Sequence, residues 1–133
     1  MLIMGYLLAS AALASTFNLN CVGTFESLSE VGERSEPWEH TFRVDLEQGK
    51  WCGSECKALH DFADIGATQL TFQDKSESTP SGESRTSSYV NRETGEYRSL
   101  ASSKDNWGIV VLTWQGQCEA EAFTGFPQFE TKF

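Results

Sequence analysis

The stretch HTFRVDLEQGKWC, residues 40–52, decides how this chain folds. Phe42, Val44 and Leu46 fall on one side of an extended backbone, and Thr41, Arg43 and Asp45 on the other. Side chains alternate across a strand with a period of two residues, so this is a strand with one buried face. Glu47-Gln48-Gly49-Lys50 then turns the chain, with Gly49 able to take a positive φ. Lys50-Trp51-Cys52 returns as the next strand.

The same alternation recurs outward from this hairpin. TFNLNCVGTFES (16–27) is expected as the first strand, with Phe17, Leu19 and Cys21 on one face. ATQLTFQ (67–73) alternates Leu70 and Phe72, and SSYVNRETGEYRSLAS (87–102) reads as a hairpin around RETGE. NWGIVVLTWQ (106–115) is the most apolar run and is β-branched, which predicts a central strand. GQCEAEAF (116–123) is expected to return after Gly116 as its partner. Helical spacing is nearly absent; CKALHDFADIG (56–66) is ambiguous, since DFADI (61–65) could form a short strand, but an irregular turn or one short helix is the preferred reading. Two stretches read as loops: EVGERSEPW (30–38), and the Ser- and Thr-rich DKSESTPSGESRTS (74–87), expected as a mobile hairpin tip. The fold class is therefore all-β: about seven or eight short antiparallel strands in a meander, closed as a barrel or a sandwich.

At the N-terminus, MLIMGYLLASAALA (residues 1–14) carries no charged side chain and ends in Ala12-Leu13-Ala14. That is the small-x-small pattern of a signal peptide, with cleavage expected before Ser15 and a single β-rich domain over residues 15–133. The run is shorter than the roughly 20 apolar residues of a membrane span. It departs from the usual signal in having no basic residue before Arg34. Export predicts a periplasmic or secreted location, with no membrane contact after cleavage.

The chain has 133 residues and a net charge of −9, with its ten Lys and Arg scattered. Glu26, Glu30, Glu33, Glu36 and Glu39 make one acidic stretch. Such a surface repels nucleic acid and anionic membranes, so a nucleic-acid partner is excluded and solubility or a cationic partner is favoured.

Four cysteines with an export signal read as two disulfides. Cys52 and Cys56 pose the sharper question, because they could also ligate a metal with His60 and Asp61 or Asp64. Gly53 and Ser54 are poor helix formers, which spoils the one-face geometry that set would need. A redox centre would use a shorter Cys-x-x-Cys spacing in a βαβ unit. A structural disulfide across the turn, beside Trp51, is the preferred reading, which leaves no metal and no cofactor. Cys21 and Cys118 are then joined between the first and last strands, which are neighbours in an up-and-down barrel, and would lock the closure seam.

No catalytic set emerges. Ser54, His60 and Asp61 could be written as a triad, but no G-x-S-x-G elbow is present. His40 reads as an exposed side chain at a strand start. Trp38, Trp51, Trp107 and Trp114 either fill the core or line a pocket for a sugar or an apolar ligand in a barrel mouth.

With these residues in place, the chain resembles a group of small exported proteins of Gram-negative bacteria to which no activity is assigned. LNCVGT (19–24), DLEQGKWCGSEC (45–56), VNRETGEY (90–97) and GQCEAEAFTGFP (116–127) carry the resemblance. It implies export, disulfides and a β-rich fold, and carries over no catalytic residue. In architecture the chain is also similar to small periplasmic inhibitors of lysozymes or proteases, although fold alone does not fix function. The expected function is a non-enzymatic binding or inhibitor module of the cell envelope, with an envelope protein or a small ligand as partner. The alternative is a barrel carrier of a small apolar or sugar ligand.

Overall fold

A computed structural model describes residues 14–129. The expected signal segment therefore lies, apart from Ala14, outside the described residues. They form one antiparallel sheet of nine strands and no helix. The strands are β1 (Thr16–Ser29), β2 (Gly32–Asp45), β3 (Lys50–Cys52), β4 (His60–Asp61), β5 (Asp64–Ile65), β6 (Gln69–Thr79), β7 (Gly82–Asn91), β8 (Glu96–Asp105) and β9 (Gly108–Glu121). Their order across the sheet is β4-β3-β2-β1-β9-β8-β7-β6-β5. No described helix is long and apolar enough to cross a membrane.

The sheet curls into a half-barrel because its two edges, β4 and β5, are joined by only Phe62 and Ala63. The Phe62 N–H bonds the carbonyl of Gly49 on one side (3.1 Å), and the Ala63 N–H bonds that of Thr71 on the other (2.9 Å). Inside this closed end lies the core: Leu19, Phe42, Val44, Trp51, Leu70, Phe72, Val90 and Tyr97, with the Cys21–Cys118 bridge. The alternation of 40–52 holds as read, with Phe42 and Val44 buried and Leu46 packed against the core.

Beyond the core the long hairpins run on as an open, curved ladder. Three of them turn on two residues: Glu30-Val31, Pro80-Ser81 and Asn106-Trp107. Gly32 and Gly108 follow two of these turns at φ 134° and 135°, a region that only glycine enters readily.

Several expectations are corrected here. EVGERSEPW is not a loop. From Gly32 it is the first half of β2, paired to β1 as far as Ser29↔Gly32. Pro37 is tolerated because β3 pairs only with Arg43–Asp45, leaving one side of β2 open where no N–H is needed. The Ser- and Thr-rich stretch does form a hairpin tip, but it is ladder rather than loop: it makes the outer halves of β6 and β7, whose backbones pair with each other while β8 pairs the far side of β7, whatever the side chains bury. CKALHDFADIG contains the two short edge strands and no helix. GQCEAEAF is not a return strand; it continues β9 without interruption to Glu121. NWGIVVLTWQ does lie in the central strand, yet Ile109 and Val110 are exposed because the hairpins there have nothing packed over them.

Both disulfides form as expected, Cys21–Cys118 across 97 residues and Cys52–Cys56 across 4. This pairing suits an oxidising environment outside the cytoplasm. Cys21 and Cys118 face each other in the β1–β9 ladder. That ladder is the middle of the sheet, not its seam; the seam is the β4–β5 junction.

Candidate functional site

The inner face of the half-barrel is set by strand register. One row across it reads Trp38, Gly23, Gly116, Tyr97, on β2, β1, β9 and β8. The two central glycines leave no side chain between the two rings. The Trp38 indole and the Tyr97 phenol consequently stack over them, with centroids 5.1 Å apart and planes 23° apart. An added Cβ at Gly116 would stand 2.6 Å from the Val22 carbonyl oxygen, and one at Gly23 would run into the Gln115 backbone.

Aromatic rings continue above and below this row. Toward the core, Phe42 stacks on Phe72 (4.5 Å), and Trp51 meets Phe72 edge-on (5.2 Å). Toward the open end, Phe25 packs on Trp114 (5.0 Å). Geometries of this kind contribute about 0.5–1.5 kcal/mol per pair beyond area burial.

Over these rings the curl leaves a cleft of about 420 Å³. One wall is aromatic: Trp38, His40 and Phe42 of β2, with Trp51 and His60 of β3 and β4. The facing wall is hydroxylic: Gln73, Thr86, Ser88 and Ser99 of β6 to β8. Tyr97, Ala101 and Trp114 lie between them. No Asp, Glu, Lys or Arg lines the cleft, although the chain is strongly acidic.

Two lining groups have shifted protonation. Burial pushes the His40 imidazole below its ordinary 6.5, which keeps it neutral at neutral pH. Burial pushes the Tyr97 phenol above its ordinary 10, against a smaller opposite pull from the Ser99 and Ser88 side chains.

The Cys52–Cys56 loop forms the rim beside His40. Gly53 packs so close that an added Cβ would sit 3.0 Å from His40 Nε2. Ser54 Oγ accepts from the Thr41 N–H (3.2 Å), donates to the Thr41 carbonyl (3.3 Å) and lies 3.4 Å from His40 Nδ1. It thus replaces the ladder partner that β2 lacks at this position. Cys56 adopts φ 44°, an uncommon conformation for a residue with a Cβ, which the disulfide holds in place.

The sequence-predicted residues sort clearly. Trp38, Trp51 and Trp114 meet at the cleft, while Trp107 stands at the β8–β9 tip, 89% exposed. Cys52 and Cys56 are bonded to each other and cannot ligate a metal with His60. No cluster of three or more potential ligands forms among the described residues. The Ser54–His60–Asp61 set does not assemble: Ser54 contacts His40, His60 packs on Trp51 (4.7 Å), and Asp61 pairs with Lys50. His40, read from sequence as exposed, is half-buried against Phe42 (4.5 Å). Sequence reading also passed over Tyr97 and the two facing glycines. For His40 the signal was present, since it shares the strand parity of Trp38 and Phe42.

Comparison with protein families, curated proteins and solved structures found no match to this chain.

Proposed function

We propose that this chain is an exported binding module of the cell envelope, acting without catalysis, whose ligand occupies the aromatic cleft of the half-barrel. The observation that carries this reading is the convergence of Trp38, Trp51 and Trp114 with Tyr97 on one concave surface. Ligand sites are typically concave, about 300–1,000 Å³, and aromatic with a few placed polar groups. The two disulfides agree with a periplasmic or secreted location, as does the proposed kinship with small exported Gram-negative proteins. The test is native mass spectrometry of the disulfide-bonded protein with envelope extract, followed by tryptophan fluorescence with any species retained. A bound small molecule that quenches the cleft tryptophans is expected. No retained species and no fluorescence change would sink the reading.

A second reading is an inhibitor-like contact with an envelope protein. It is favoured by Val31 and Trp107, 98% and 89% exposed at neighbouring hairpin tips. Exposed tryptophan is a frequent anchor of protein interfaces. Here Trp107→Ala would abolish capture of a protein partner while leaving the cleft intact.

A further inference from the structure

Resting on the cleft as the binding site, we infer that its ligand is a neutral saccharide, seated between the aromatic wall of β2–β3 and the hydroxylic wall of β6–β8.

The lining chemistry excludes the main competitors in turn. An ionic ligand would lose hydration without meeting an opposite charge from a carboxylate, ammonium or guanidinium, because no Asp, Glu, Lys or Arg lines the cleft and burial holds His40 neutral. A wholly apolar ligand would cover the Gln73 amide and the Thr86 hydroxyl and leave them unpaired, whereas Ser88 and Ser99 already engage the Tyr97 hydroxyl. A polar site rejects a ligand that cannot hydrogen-bond to it, since each unpaired group carries its full desolvation cost. What remains is a molecule with one apolar face and a rim of hydroxyls.

A pyranose ring has that shape: its C–H face lies on an indole while its edge hydroxyls both donate and accept. The facing wall matches it, because Ser and Thr hydroxyls and the Gln amide are each donor and acceptor. Trp38 and Trp114 are only half-buried and so keep ring surface open to the cleft, whereas Trp51 and Tyr97 are buried beneath. The first two are therefore the stacking platforms, and Thr86 and Ser99, also half-buried, are the reachable hydroxyls. The cleft is open to solvent rather than enclosed, which suits part of a longer chain better than a free monosaccharide.

The experiment is a binding screen of the disulfide-bonded protein by tryptophan fluorescence. Neutral glycans (cellotriose, maltotriose and the trimer of N-acetylglucosamine among them) are compared with their acidic counterparts and with N-phenyl-1-naphthylamine as an uncharged apolar probe. The expected result is saturable quenching by at least one neutral glycan. Affinity should fall at least tenfold in Trp38→Ala and several-fold in Thr86→Val, which keeps the shape and removes the hydroxyl. Near-UV circular dichroism checks that each variant is folded, and Thr86→Val carries the test if Trp38→Ala is not. Binding of the apolar probe alone, or of acidic glycans alone, would overturn the saccharide inference and leave the cleft reading standing. Binding of no probe would overturn both.

Discussion

Trp38 and Tyr97 stack across two strands that contribute only glycine between them. The finding is that Gly23 and Gly116 face each other in the β1–β9 ladder and form the floor under both rings. Alanine at either position would normally favour a strand over glycine. Here the added methyl at Gly116 meets the Val22 carbonyl at 2.6 Å, and backbone cannot step aside cheaply. Gly116→Ala is expected to destabilise by about 1–3 kcal/mol, the range for overpacking. Urea unfolding with an unchanged m-value checks it, and a variant as stable as the parent refutes it.

The core is small enough that single residues carry much of it. Phe72 is 2% exposed and packs on Phe42, Phe62, Trp51 and Tyr97. Phe72→Ala is expected to cost about 3–5 kcal/mol. Trp107→Ala, at an exposed tip, should stay within about 0.5 kcal/mol of the parent. Equal losses for the two would contradict the division into a packed end and an open end.

The two disulfides should differ in weight. The chain-entropy model gives about 4–5 kcal/mol for closing a loop as long as Cys21–Cys118, and about 2 kcal/mol for Cys52–Cys56. Replacing the first pair with serine is expected to unfold much of the population at 37 °C. Replacing the second should leave the fold and loosen the rim, seen as a changed His40 ring signal by NMR. Thermal melts of both double variants decide the order.

Acid should weaken the fold through His40. Its folded-state pKa lies below the unfolded value of 6.5, so the unfolded chain binds the extra proton first. The contribution is undisturbed above pH 6.5 and is lost as pH falls through the folded-state value. His40→Gln is expected to flatten this part of the stability profile between pH 7 and pH 5. A profile of unchanged slope in that variant would assign the acid sensitivity elsewhere.

Much of the fold was legible because the alternation of Phe42, Val44 and Leu46, and of Leu70 and Phe72, is a local signal. The cysteine pairing was legible for the same reason, since Cys21 and Cys118 lie in strands recognisable from their own residues. The outer halves of β2, β6 and β7 were not. Their residues, such as Glu33, Ser76 and Ser84, are polar on both faces, and only the neighbouring strands make them strands. The cleft was half legible. The tryptophans were visible as a set, but which three meet depends on sheet order, and so does the role of Gly23 and Gly116. Trp107 is the same residue type but lies in the β8–β9 turn, outside the cleft.

The sheet order also governs how the molecule is made. Its central ladder joins β1 to β9, the first and last of the described strands to be synthesised. Cys21 therefore emerges with its partner 97 residues behind it, while Cys52 and Cys56 emerge together and ahead of Cys118. Oxidation in order of appearance would join Cys21 to Cys52, so correct assembly depends on Cys52–Cys56 closing first or on later thiol exchange. Pulse-labelling with alkylation of free thiols should reveal the small loop before the large one, and slower maturation in a host lacking disulfide isomerase.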